Sequence, residues 1–594
     1  MCRIAGILSG KSKSEKTSRE VKAMCDSMKH GGPDDEGLYI NSNGSCCLGN
    51  RRLSILDLSQ SGHQPMTVDD RFHITFNGEI YNFIELREEL QKYGHIFQTG
   101  SDTEVILQAY KHWGIASFAK LSGMFAFALY DDSTKHTYLV RDASGIKPLY
   151  YSQLPQGLIF TSEIKALFQT GYTFETDERW KVYMLAFGFV PEPYTTLKNV
   201  FSLKKGHYLS YDHHNDFISI KPFRIFTFSN KITDSREAVQ LVKESVNNAV
   251  RSHLLSDVPV GVFLSGGIDS SILTLLSYSL TKDNVNAISI DHNEATYTER
   301  PYRQLINKLI NNRNTEYLVT YDDFVNNFDS IMNAMDQPST DGINTWFASK
   351  HAKEHGLKCI LSGIGADELF GGYPSFRRMP LLERLKVIPK KILRMSESLF
   401  NVNYKRLYYL SYDNQIGMYL FMRGYYTPRY IARVLDADVD EIDGILSGFT
   451  VDSWFEDLTS ENRASWNAIN IYMQNQLLKD TDHMSMSHGL EVRVPFLDQN
   501  LIDMVLSIHP SVKFNNKFPK QLLVNAFKDQ LPEAIWNREK MGFTFPFQEW
   551  MKKFDRISDP DLYQNPTAKA LMKQFHEGQL HWSNAFALYH VCNA

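Results

Sequence analysis

Phe263-Leu264-Ser265-Gly266-Gly267-Ile268-Asp269-Ser270-Ser271 closes an apolar strand predicted over Val258–Leu264 and opens an apolar helix, Ser271–Leu280. Glycines in such a turn free backbone N–H groups to cradle an anion, and the helix N-terminus adds partial positive charge. Ser265, Ser270 and Ser271 offer hydroxyls to the same ligand; Thr274, a turn later, offers a fourth or simply packs. The segment is neither G-x-x-x-x-G-K-[ST] nor G-x-G-x-x-G, and the bland alternative is a serine-rich helix cap. Around it the pattern repeats. Helix Arg236–Leu254 leads into the strand, strand Asn286–Ile290 and helix Arg303–Asn311 follow, and strand Lys358–Leu361 ends in a second glycine turn. Alternating strand and helix predicts an α/β unit with a parallel sheet covered on both faces, and beyond Pro380 the pattern is mostly helical.

The first part of the chain follows a different rhythm. Short β-type runs at Cys46–Leu48, Phe72–Phe76, Met124–Tyr130, Thr137–Val140, Leu149–Tyr151 and Gly157–Thr161 are separated by turn signals such as Asn77-Gly78 and Ser144-Gly145. Apolar residues recur at three- and four-residue spacing in Ser18–Lys29, Phe83–Tyr93 and Asp102–Trp113, which predicts helices. The mixture predicts an α+β domain of layered sheets over 2–200, a polar connector carrying a few strands over 201–234, and the α/β domain from 235 to 594.

At 594 residues one core does not suffice. Lys and Arg number 63 against 68 Asp and Glu, a net charge of −5 with no block of one sign, so neither nucleic acid nor a membrane surface is the expected partner. Small-molecule substrates are expected instead, and a homodimer is compatible with the composition. No apolar run nears the roughly 18–20 residues of a membrane helix, and the stretch behind Met1 is too short for a signal peptide. The 6 cysteines (Cys2, Cys25, Cys46, Cys47, Cys359 and Cys592) show no C-x-x-C spacing and no disulfide pattern. A reducing cytoplasm is expected, and zinc is not.

Removal of Met1 leaves Cys2 with a thiol and a free α-amine of reference pKa about 7.7–8.0, a base that can arm its own side chain. Behind it stand, in order, Arg51-Arg52-Leu53-Ser54-Ile55-Leu56-Asp57, Phe76-Asn77-Gly78-Glu79-Ile80-Tyr81-Asn82 and Gly100-Ser101-Asp102-Thr103-Glu104. Continued by Met124-Phe125-Ala126-Phe127, Arg141-Asp142-Ala143-Ser144-Gly145 and Ser162-Glu163-Ile164-Lys165, these motifs resemble the class II glutamine amidotransferases, glutaminase domains of the N-terminal nucleophile hydrolase type. The resemblance implies Cys2 as nucleophile, with the Asn77 amide and the Gly78 N–H as oxyanion donors. It implies a glutamine site at Arg52, Leu53, Ser54, Ile55, Leu56, Asn77, Gly78, Glu79 and Asp102. The chemistry suits: a planar cationic fork for the α-carboxylate at Arg52, a carboxylate for the α-ammonium at Asp102 with Glu79 nearby. Each charged residue alone is more often a solvated surface group.

The turn at 263–271 looks like the PP-loop of ATP pyrophosphatases, which cleave between the α- and β-phosphates. With Leu361-Ser362-Gly363-Ile364-Gly365-Ala366-Asp367-Glu368-Leu369-Phe370-Gly371-Gly372-Tyr373 and Leu478-Lys479-Asp480-Thr481-Asp482-His483, it resembles the synthetase domain of glutamine-hydrolysing asparagine synthetases. The match spans nearly the whole chain in that family's domain order. It implies an ATP site at Leu264, Ser265, Gly266, Gly267, Asp269, Ser270, Ser271, Ile290, Ser362 and Gly363, with Mg²⁺ held by Asp269 and Asp367. It also implies an acceptor and adenylate site at Ile364, Asp367 and Glu368, and a catalytic Lys520 stabilising charge at an acyl-adenylate. The implied reaction forms an aspartyl adenylate, releases AMP and pyrophosphate, and amidates L-aspartate with ammonia carried from Cys2 through a dry channel.

Two departures stand out. Relatives usually read His-Arg-Gly-Pro-Asp where this chain has His30-Gly31-Gly32-Pro33-Asp34, so either a neighbour substitutes for the missing charge or glutaminase efficiency changes. Asparagine synthetases often carry Glu where this chain has Ile364, and Asp336-Gln337-Pro338-Ser339-Thr340-Asp341-Gly342-Ile343-Asn344 is unlike the best-known aspartate-binding version. L-aspartate leads as acceptor; a sugar uronate of surface-polysaccharide assembly is the alternative. A non-catalytic glutamine or nucleotide sensor would be expected to lose the nucleophile or the PP-loop, and a β-lactam-type synthetase the N-terminal cysteine. Neither loss is seen.

Overall fold

The computed structural model describes residues 2–9, 14–281, 285–293, 298–311, 314–385, 387–399, 402–451, 457–514, 517–539 and 544–593. Met1, whose removal the nucleophile reading requires, lies outside them. Among the described residues up to Pro222, twelve strands form two antiparallel sheets. They are β1 (Cys2–Leu8), β2 (Asp35–Ile40), β3 (Cys46–Arg52), β4 (Met66–Val68), β5 (Phe72–Ile80), β6 (Gly123–Asp131), β7 (His136–Arg141), β8 (Tyr150–Leu154), β9 (Gly157–Thr161), β10 (Val200–Ser202), β11 (His207–Asp212) and β12 (Phe217–Pro222). One sheet runs β10-β8-β9-β1-β3-β2 and the other β12-β11-β7-β6-β5-β4.

Alternation along the strands explains the layering. On β1, Ile4 and Leu8 join Leu48, Ala126, Ala128 and Leu139 in one apolar cluster between the sheets. Ala5 and Ile7 face the other way, onto Val21 and Met24 of helix Ser14–Ser27. The outer face of the second sheet is covered in the same manner by Leu86, Leu90, Val105 and Leu107 of helices Phe83–Lys92 and Asp102–Trp113. Helix, sheet, sheet, helix is the α+β layering expected. The sequence pattern misses β1 because both of its faces are buried, so that Ile4–Leu8 is apolar throughout and shows no alternation. Strands β11 and β12, within the stretch read as a connector, form the edge of the second sheet.

The second half holds a parallel sheet of β13 (Val260–Phe263), β14 (Asn286–Asp291), β15 (Asn314–Leu318), β16 (Cys359–Leu361) and β17 (Glu491–Arg493), in the order β15-β14-β13-β16-β17. From β13 the chain steps outward to β14 and β15, then crosses to the opposite side of β13 at β16. The crevice beyond the carboxyl ends of β13 and β16 is therefore the topological switch point, where ligands of open parallel sheets bind. Both glycine turns open there. Strands β15 and β17 escape the pattern reading: β15 is polar and partly exposed, and β17 is three residues long. The remainder is largely helical. Helices Ser460–Asn467 and Leu478–Met486 are joined without a break by a π-helical stretch, Ala468–Leu477.

The halves share one core. Leu53, Ile55, Tyr81, Met124 and Ile146 pack in a single apolar cluster with Leu361, Ala366, Leu478, Met486 and Val494. No described helix is long and apolar enough to cross a membrane.

Candidate active sites

Pairing of β1 with β3 sets Cys2 opposite Arg52. The Cys2 N–H donates to Asn77 Oδ1 at 3.2 Å, while the Nδ2 of the same amide is buried without a hydrogen-bond partner. A buried donor left open is costly unless something accepts from it. At Gly78 a Cβ would lie 2.1 Å from the Met124 carbonyl, so only glycine lets β5 approach β6 here. Burial pushes the Cys2 thiol up, opposed by Arg52 and by the N–H of Leu53.

Arg52 is locked by the loop that follows it, donating to the carbonyls of Leu56 at 3.1 Å, Asp57 at 2.5 Å and Ser59 at 3.3 Å. Ser54 N–H donates to Asp34 Oδ2 at 2.9 Å, and the Ile55 carbonyl accepts from Asp257 of the second half at 3.1 Å. Asp102 opens its helix with Oδ2 accepting from Ile80 N–H at 2.9 Å, and burial lifts its carboxyl to about 6. Glu79 is already committed. It lies 3.3 Å from Arg493 of β17, and burial, then Glu491, push its carboxyl upward against that arginine.

The departure at Gly31 has a physical counterpart. A Cβ there would meet Arg3 Cγ at 2.8 Å, so the side chain of Arg3 fills the space over Gly31. Fully buried, Arg3 pairs with Glu163 at 2.7 Å and with Asp482 at 2.6 Å; Lys147 reaches the other Asp482 oxygen at 2.9 Å. Two cations of the first half thus converge on one carboxylate of the second, which they hold well below the usual carboxylate range against its burial.

At the switch point lies a cavity of about 330 Å³. Leu264, Ser265, Gly267, Asp269, Ser270, Ile290, Ser362, Gly363, Ile364, Asp367 and Glu368 all line it. Gly266, with φ 88°, stands behind the wall against Arg303, and Ser271 is buried in the helix. The serines brace the turn: Ser265 N–H donates to Ser270 Oγ at 3.2 Å, and Gly267 N–H to Ser265 Oγ at 3.2 Å. Thr274 bonds back to Ser270 O at 2.7 Å and so packs on its own helix. Lys520, in the left-handed conformation before helix Gln521–Phe527, reaches Asp367 Oδ1 at 2.7 Å and also Asp269. Burial opposes its charge; the two carboxylates outweigh that and raise its pKa. Glu368 accepts from Tyr373 O–H at 2.6 Å and from Gly365 N–H at 3.1 Å.

Among the described residues no group of three or more His, Cys, Asp and Glu side chains could hold a metal ion. A cage made of protein alone is not formed. Asp269 and Asp367, both in the wall of the cavity, do suit magnesium, which takes one or two protein oxygens plus substrate phosphates. Asn344, Thr345 and Ala348 of helix Ile343–Glu354, and Thr481 of the long helix, also stand in the cavity wall, though none is among the site residues expected from the sequence. Asn344 and Thr481 lie in stretches singled out in the sequence; Thr345 and Ala348 have no sequence signal beyond one helical face, which tertiary packing brings to the turns.

Comparison with known proteins matches the two halves of the chain to two different families. A glutamine amidotransferase domain model matches residues 1–223, and an asparagine synthase model matches residues 241–574. Asparagine synthetase [glutamine-hydrolyzing] 1 of Bacillus subtilis (strain 168) is 32% identical, the alignment covering 93% of this chain and 88% of that one. Asparagine synthetase B [glutamine-hydrolyzing] of Escherichia coli (strain K12) is 27% identical over 96% and 89%, and amidase chry2 of Gibberella zeae 26% over 89% and 85%. The chain belongs to the glutamine-hydrolysing asparagine synthetase family, whose members are ATP-using, glutamine-dependent carbon–nitrogen ligases.

Proposed function

We propose that the chain hydrolyses glutamine at Cys2, activates a carboxylate with ATP at the switch-point cavity, and amidates it with the ammonia released. The carrying observation is the Lys520 ammonium held between Asp269 and Asp367 where both glycine turns open. In the first half, the Cys2 sulfur attacks the glutamine carboxamide carbon. Asn77 Nδ2, buried and unpartnered, and the Gly78 N–H receive the developing oxyanion. Arg52 and Asp102 hold the glutamine α-carboxylate and α-ammonium, with Leu53, Ser54, Ile55 and Leu56 as the loop beneath. Ammonia leaves, and water releases glutamate from the thioester.

In the second half, an acceptor carboxylate oxygen attacks the α-phosphorus, the bond to the β-phosphate oxygen breaks, and pyrophosphate departs. Lys520 stabilises the charge that develops. Mg²⁺, with Asp269 and Asp367 as its protein ligands, would supply further charge neutralisation at the phosphates. Ammonia then attacks the acyl carbon and AMP leaves. Between the sites the shared apolar cluster, from Leu53 and Met124 to Leu361 and Leu478, supports a dry passage that keeps ammonia unprotonated.

Family membership favours L-aspartate as acceptor. A sugar uronate is the second reading, favoured by the apolar Ile364 in the cavity wall and by a larger polar cavity beside it. The test is product analysis with glutamine, ATP, Mg²⁺ and an acceptor panel. AMP, pyrophosphate and glutamate are expected; release of ADP overturns the adenylate reading.

A further inference from the structure

A second cavity, of about 800 Å³, adjoins the first, with Asn344 in the walls of both. Where they meet stands Arg423, the last residue of helix Gln415–Arg423. Its guanidinium lies 4.6 Å from the ring of Tyr373, which lines the smaller cavity, and 3.9 Å from the ring of Tyr472, which lines the larger. Among the described residues it makes no hydrogen bond and no ion pair. A half-buried guanidinium has five donors in a rigid fork, and the ligand that satisfies such a fork is a carboxylate or phosphate.

The rest of the cavity says what carries that group. Tyr419, Tyr425, Tyr472 and Trp582 line it together with Gln476, Ser583 and Asn584. Asp341 is the one carboxylate among the described lining residues. Ligand sites of this size, within the range of about 300–1,000 Å³, take molecules well beyond a four-carbon amino acid. The π-helical turn supplies Tyr472 and Gln476 to this cavity and Leu477 to the smaller one. Such wide turns recur at functional sites because they re-aim side chains that a regular helix would place elsewhere.

We infer that the larger cavity is the acceptor site and that it takes a carboxylated sugar. Arg423 grips the carboxylate in a bidentate fork at the junction, and the pyranose ring lies on the aromatic faces with its hydroxyls bonded to the amides and Asp341. This deepens the second acceptor reading above and rests on it. Arg423 is a binding and positioning residue, and no bond is made or broken on it.

The experiment is calorimetric titration of the full chain with galacturonate, glucuronate and L-aspartate, repeated on Arg423→Gln and Arg423→Lys. Thermal unfolding serves as the check that each variant folds; should Arg423→Gln fail it, Arg423→Lys carries the test. A uronate is expected to bind, to lose at least tenfold in affinity in Arg423→Gln, and to lose less in Arg423→Lys, which keeps the charge but not the fork. Binding of L-aspartate alone, or uronate binding indifferent to position 423, or no binding of any of the three acids, overturns the inference. If a uronate binds through Arg423 yet ATP yields no pyrophosphate, the site stands and the adenylate reading is the one that fails.

Discussion

On the proposed reading single residues set the chemistry of the glutamine half, and three positions there make sharp predictions. Cys2→Ala should abolish glutamine-dependent amide formation and leave the ammonia-dependent reaction, measured with ammonium chloride as donor; equal loss of both would mean that the sites are not separate. Asp102 has its carboxyl lifted to about 6 by burial, so it is charged above that pH and protonated below it. If it holds the glutamine α-ammonium, kcat/KM for glutamine should fall tenfold per pH unit below about 6, and Asp102→Asn should erase that limb along with most of the activity. Gly31 offers a third test, because a Cβ there meets Arg3 Cγ at 2.8 Å. Gly31→Arg alone should destabilise by about 1–3 kcal/mol through overpacking. The double variant Arg3→Gly with Gly31→Arg should recover most of it in thermal unfolding, since one arginine then fills the site again. Additive losses would show that the two positions do not share the space.

At the scale of elements, β17 carries more than its three residues suggest. The Arg493 carbonyl accepts from Ser362 N–H at 2.8 Å, and its guanidinium bonds Glu491 and lies 3.3 Å from Glu79. One strand therefore touches the second glycine turn through its backbone and the first half of the chain through a side chain. Arg493→Met strands two buried carboxylates, a change that costs about 3–5 kcal/mol in comparable pairs. The denaturation midpoint should fall accordingly, with partial recovery when Glu79→Gln is added. The partner of Arg493, Glu79, is more than four hundred positions away in a different sheet. Nothing in local periodicity connects them.

For the whole molecule, the main question is how two reactions stay in step. Arg3 and Lys147 from the first half meet Asp482 of the second, all three buried, next to the strand that begins with Cys2. Asp482→Asn keeps the shape and removes the charge that joins the halves. Glutamine should then be hydrolysed in excess, with glutamate formed per pyrophosphate rising above one; an unchanged ratio would assign the network to stability alone. Buried pairs of this kind are poor sources of net stability.

Much of this protein could be read from the linear chain. Strand, glycine turn and helix around Leu264–Ser271 point to a parallel sheet with an anion-binding turn at its edge, because backbone geometry and helix polarity act within a few residues. Asn77, Arg52, Asp102, Asp269 and Asp367 were likewise legible as residue types at fixed places in ordered motifs. What folding alone decided are the meetings between distant segments: Lys520 between two aspartates, Arg3 over Gly31, Glu79 on Arg493, and Arg423 between the two cavities. Each depends on side chains from separate layers arriving at one point. Long-range packing fixes that, and the spacing of residues along the chain does not encode it.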